Sequence, residues 1–140
     1  MTAGRIAAAA AIVASASLLG CPIGQRAGDF PSVRTGGGRT CRLSIRATRQ
    51  EVTGELLSAA DTAAVLVAAN KVWVVPYRIV RSSRCDDTGS IPFDGRGVLV
   101  PAQANELQLR SRYPQGIGPE LMARLLQAYG QTAPMVPAQP

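Results

Sequence analysis

Histidine is absent from all 140 residues, and lysine occurs once, at Lys71. The first absence removes the Ser-His-Asp and Cys-His catalytic arrangements together with the commonest zinc ligand. Neither Gly-x-Ser-x-Gly nor Ser-x-x-Lys occurs, so two further nucleophile motifs are missing. The acidic residues lack the D-x-D-x-D-G order of a calcium loop, and Gly36-Gly37-Gly38 is followed by no Gly-Lys-Ser/Thr, so it does not read as a phosphate cradle. Three cysteines are present without a Cys-x-x-Cys pair that would lower a thiol pKa. After residue 20 no apolar run reaches the roughly 20 residues that a membrane-spanning helix needs.

What is present begins with Met1 to Arg5, a short segment with one positive side chain, followed by the uncharged stretch Ile6 to Leu19. This is the order of a secretory signal peptide, and the stretch is too short for a comfortable permanent span. It ends in Leu18-Leu19-Gly20-Cys21, which resembles the lipobox of bacterial lipoproteins. The resemblance covers the first 21 residues. It implies that the Cys21 sulfur receives a diacylglyceryl group and that the chain is cut just before it. An ordinary signal peptide with an incidental cysteine and a buried alanine-rich helix are the alternatives. Each buried methylene contributes about 0.8 kcal/mol, so two or more acyl chains hold a protein on a membrane where one is marginal. The expected location is therefore the bacterial cell envelope, with the membrane as first partner.

Removal of residues 1–20 leaves one small domain's worth of chain. Cys41 and Cys85 then remain as an even pair, expected to form a disulfide in an oxidising compartment, with two buried free thiols as the alternative. With Arg5 gone, fourteen basic side chains face nine acidic ones, a net of +5 carried almost wholly by arginine. Such an excess attracts anionic polymers, lipid headgroups or nucleic acid, or is simply solvated.

Residues 21–40 are Gly, Pro, Ser, Arg and Gln-rich and read as a flexible tether. Arg42 to Thr48 alternates apolar and polar side chains, the mark of a half-buried strand. Gly54 reads as a bend or bulge, Glu55–Ser58 as a resumed strand, Ala63–Ala68 as a strand, Asn70-Lys71 as a tight hairpin, and Val72–Pro76 as an apolar strand. Tyr77 to Arg84 reads as a last extended piece. Val98–Val100 and Leu107–Leu109 read as brief strands. Gly118, Pro119, Glu120 and Gly130 bracket a helix whose apolar face is Leu121, Met122, Leu125, Leu126 and Tyr129. The tail 131–140 is Pro, Ala and Gln-rich and is expected to be disordered.

Leu43-Ser44-Ile45, Val52-Thr53-Gly54-Glu55-Leu56, Asp61-Thr62 before Ala64-Val65-Leu66-Val67, and Val74 to Val80 together resemble the five-stranded meander of Sm-like and SH3-like small barrels. The fold class that follows is mainly β: a five-stranded barrel over residues 41–130 with a C-terminal amphipathic helix, against a small β-sandwich or an open sheet. The family often binds RNA, but export removes that partner and no base-stacking motif is present, so nucleic acid is not the expected ligand.

Two functional classes follow. One is a lipid-anchored, non-catalytic module that binds another envelope component, with Arg42, Arg46, Arg78 and Arg81 as candidate contacts. The other is an electrostatic binder of anionic polymer, lipid headgroups or nucleic acid through the same arginines. No cofactor or metal is implied. Glu51 and Glu55, four apart, would have to act as a carboxylate pair for an enzyme to be present, and Trp73 with Tyr77 reads as core or rim aromatics ahead of a ligand-stacking pair.

Overall fold

The computed structural model describes residues 37–86 and 89–139. Cys21, the leader and all but the end of the tether lie outside the described residues.

Alternation drives the first strand, β1 (Thr40–Ile45), in which Cys41, Leu43 and Ile45 are buried and Arg42 is exposed. It is followed by β2 (Glu51–Ala59), β3 (Ala63–Ala68), β4 (Lys71–Pro76), one turn of 3-10 helix (Tyr77–Ile79) and β5 (Val80–Cys85). The strands form one sheet in the order β4-β3-β2-β1-β5, with every neighbouring pair antiparallel. β4 and β5 are its two margins and do not pair with each other, so the sheet is open.

Two local features shape it. At Gly54 a Cβ would run into the Val67 carbonyl, so only glycine lets β2 and β3 approach this closely. Beyond it the register of β2 against β3 shifts between Leu56 and Ser58, a bulge that buries both Leu56 and Leu57. The β3–β4 connection is the two-residue turn Ala69-Asn70, one position before the expected Asn70-Lys71. Both turn residues have positive φ, 48° and 58°, the backbone that matches the twist of a two-residue hairpin.

One face of the sheet carries the main core: Leu43, Ile45, Val52, Leu56, Ala64, Leu66, Val75, Tyr77 and Val80, joined by Ile91, Leu99 and Leu107 from beyond β5. Tyr77 is fully buried and stacks on Phe93 at 5.5 Å with the rings nearly parallel. Burial pushes its hydroxyl well above the ordinary tyrosine range. Trp73 packs against the same cluster and donates Nε1 to the Ala68 carbonyl. Tyr77 is therefore a core side chain and Trp73 a partly buried one packed against that core. Val65 and Val72 point to the opposite face, where α2 lies against β4.

Both helices follow the sheet. α2 (Pro119–Ala128) begins as expected after Gly118 and buries Leu121, Leu125 and Leu126. Its end is a left-handed Gly130, φ 64°, with the Gly130 amide donating to Gln127 and the Gln131 amide to Leu126. That 5→2 and 6→1 pair is a Schellman closure. α1 (Pro101–Leu109) corrects the strand expected at Leu107–Leu109. Only Leu107 of that helix is buried, and Leu109 is 74% exposed, so no apolar stripe announces it. The Val98–Val100 strand reduces to one bridge, Leu99 to Phe93.

The tail, expected to be disordered, lies along β4 through Met135. The Gln131 side chain accepts from the Val72 amide at 2.6 Å and donates to the Val72 carbonyl, while the Val74 amide donates to the Met135 carbonyl at 2.8 Å. Backbone pairing overrides the polar composition here.

Cys41 and Cys85 stand opposite each other on β1 and β5 and form a disulfide, with their Cα atoms 4.0 Å apart. The Asp86 amide donates to Thr40 beside them, so they occupy a non-hydrogen-bonded position, where antiparallel strands come closest. Reducing this bond should lower the unfolding free energy by up to roughly 4 kcal/mol, read from urea melts with and without reductant. Gly54→Ala should cost about 2 kcal/mol or more, because backbone must move to admit the methyl.

Candidate functional site

The register of the sheet turns the sequence of exposed residues into rows. Across β2, β1 and β5 the outer face carries Thr53, Arg42 and Arg84 in one row, and Glu51, Ser44 and Ser82 in the next. Arg42 and Arg84 are thus directly opposed like charges, an arrangement that destabilises a strand pair. Arg42 has Glu51 at 3.9 Å, with both side chains more than half exposed, a pairing worth little in water. Arg84 makes no ion pair among the described residues. A recess of about 330 Å3 opens here, lined by Thr40, Arg42, Thr53, Arg84 and Asp86.

Further along, Arg46 follows the last residue of β1. Its amide donates to Ile79 at 2.9 Å and its Nε to the Val80 carbonyl at 3.0 Å, which fixes this arginine against the start of β5. Arg81 is the extra residue where the β1–β5 register shifts, and it is exposed. The structure therefore brings Arg42, Arg46 and Arg81 onto the β1–β5 ribbon. Arg78 stands apart, in the 3-10 turn, where Nη2 donates to Gln139. Gly97, φ 78°, is pressed against the Arg78 backbone and brings the Asp94–Gly97 turn to it. In that turn the Asp94 carboxylate accepts from the Val98 and Arg96 amides, and these bonds hold its carboxyl below the usual range.

Glu51 and Glu55 do not form a working carboxylate pair. Glu51 leans toward Arg42, while Glu55 is committed to an internal latch. Its Oε1 accepts from the amides of Gly37 and Gly38, each at 2.8 Å, and its Oε2 lies 3.4 Å from Arg112 Nη1. Gly38 is required by closeness, since a Cβ there would strike the Leu56 carbonyl. Arg112, which sequence reading did not single out, is 7% exposed, and its Nε and Nη2 are buried without hydrogen-bond partners. Its amide donates to Leu56 and that of Tyr113 to Leu57, so the segment is hydrogen-bonded to the bulged part of β2. The guanidinium lies 5.6 Å from the Tyr113 ring centroid. The glycine run thus does cradle an anion: the anion is the protein's own carboxylate.

Among the described residues no three His, Cys, Asp or Glu side chains are grouped as metal ligands, and no helix is long and apolar enough to cross a membrane. No protein-family model, no curated protein and no solved structure matches the chain.

The latch predicts a specific energetic pattern. Glu55→Ala leaves a buried guanidinium uncompensated and should cost about 3 kcal/mol in urea melts. The paired replacement Glu55→Leu with Arg112→Met should recover most of it. A loss below about 1 kcal/mol for Glu55→Ala would refute the buried-charge account.

Proposed function

We propose that this chain is a lipid-anchored, non-catalytic binding module of the bacterial cell envelope, held at Cys21 and presenting the arginine-bearing ribbon of β1 and β5 to its ligand. The observation that carries the binding half is the row Thr53–Arg42–Arg84 lining a recess, with Arg81 farther along β5 and Arg46 just past the end of β1. The anchoring half rests on the sequence Leu18-Leu19-Gly20-Cys21 behind an apolar leader. A cross-strand disulfide fits a compartment where such bonds persist.

The likeness to Sm-like and SH3-like small barrels is part of this reading. A strand order of β4-β3-β2-β1-β5, a bulged second strand and a single 3-10 turn before a short fifth strand support it. Membership of that fold would not by itself name a ligand.

Metabolic labelling with radioactive palmitate tests the anchor. The full chain should take up label and partition with membranes, and Cys21→Ala should do neither. Label retained by Cys21→Ala would overturn acylation at that sulfur.

A further inference from the structure

We infer that the outer face of β1 and β5 is a binding track for a linear polyanion without bases, a chain of phosphate or carboxylate groups, gripped at one end by Arg42 and Arg84 and at the other by Arg46 and Arg81. The inference rests on the binding-module reading and supplies its ligand class.

Three observations converge on it. First, the track is built almost wholly of donors: Arg42 with Arg84 and Ser44 with Ser82 in register, then the bulged Arg81 on β5 and, just past β1, Arg46, which donates to the neighbouring Ile79 and Val80 carbonyls. Arg42 and Arg46 are four residues apart, about 13 Å at the rise of a strand, so two anionic groups of one polymer can be held at once. Second, Arg42 and Arg84 repel each other in the free protein. An oxyanion between them turns that repulsion into two charge-assisted hydrogen-bonding sites, with the Thr40 and Thr53 hydroxyls on the same wall. Arg46 is already held by its Nε bond to Val80, which reduces the ordering cost of binding. Third, the crosslink at Cys41–Cys85 lies one residue from Arg42 and Arg84, so the two arginines cannot slip out of register.

The surroundings choose among anionic partners. Glu51 flanks the track at Arg42, and Asp86 lines the recess at Arg84. Glu55, in the row beyond, is occupied by Gly37, Gly38 and Arg112. A flat layer of headgroups would meet these acids together with the arginines, whereas a narrow chain passes between them. β1, the first half of β2 and β5 read TCRLSI, EVTGE and VRSSRC, without one aromatic side chain, so bases would find no stacking platform.

The test is titration calorimetry of the full chain with three probes: inorganic polyphosphate, the polycarboxylate saccharide polygalacturonate, and single orthophosphate. Polyphosphate, polygalacturonate or both should bind far more tightly than orthophosphate, and whichever polymer binds more tightly identifies the charged group. Affinity should fall steeply as salt is raised. Arg42→Gln with Arg84→Gln should weaken the polymer about tenfold or more, while Glu51→Gln, which removes the acid beside Arg42, should tighten it by about two- to threefold. Arg124→Gln on α2 should change it less than about twofold, and each variant's fold is checked by near-ultraviolet circular dichroism. A loss from Arg124→Gln as large, per charge removed, as that from the double variant would reduce the effect to net charge and overturn the site. So would orthophosphate binding as tightly as the polymers, or stronger retention on anionic vesicles or single-stranded DNA than on either polymer. Because none of these measurements depends on acylation, failure here leaves the anchor reading standing, and the reverse also holds.

Discussion

The covalent bond between Cys41 and Cys85 is the constraint from which most of the outer face follows. It joins the strand that lies second from the margin to the margin itself, at the one kind of position where antiparallel backbones approach closely enough for a short crosslink. Once those two residues are opposed, Arg42 must face Arg84 and Leu43 must face Ser83. A slip of one residue would turn the arginines inward and the leucine outward. The bond therefore does more than restrict the unfolded chain: it fixes which charges stand side by side.

The same end of β1 is governed by a second kind of constraint, electrostatic in origin. A guanidinium as buried as that of Arg112 is tolerable only with a carboxylate in reach, and Glu55 supplies it while its other oxygen holds two glycine amides. Gly37 and Gly38, just ahead of β1, are thereby tied to β2 through side-chain chemistry before strand pairing begins at Thr40. The Arg39 carbonyl, accepting from the Leu56 amide at 2.7 Å, continues the same attachment. Partial satisfaction is built into this arrangement, since two guanidinium nitrogens and the Tyr113 hydroxyl have no partner.

Much of the sheet was legible because period-two patterning marks β1, short apolar runs mark β3 and β4, and Asn70 and Gly54 stand at or beside the positions where geometry demands them. α2 was legible for the corresponding helical reason, with proline at its first position and glycine past its end. α1 was not, since Pro-Ala-Gln-Ala-Asn-Glu-Leu-Gln-Leu carries one buried side chain and its last leucine faces water. The tail escaped as well, because main-chain pairing leaves no mark in composition. Of the arginines, Arg42, Arg46 and Arg81 were singled out, but Arg84 was missed although a signal existed. With Cys41 and Cys85 paired across antiparallel strands, the residue after one and the residue before the other are neighbours by necessity. Arg112 left no comparable signal, being an isolated basic residue in a polar stretch, and only its burial in the folded chain reveals it.

The strip from Gln131 to Met135 has a bearing on how copies of this molecule treat one another. A bare margin strand offers its amides and carbonyls to any passing β-segment, which is how sheets grow from one molecule into the next. Here Gln131 and Met135 occupy those groups at Val72 and Val74 on β4, while Gly89 pairs with the Cys85 amide and carbonyl at the other margin. Lateral stacking into ribbons would first have to strip these plugs away. Gln131 and Met135, in a stretch with the look of a dispensable trailer, thus close part of a border along which another molecule's strand would otherwise find partners.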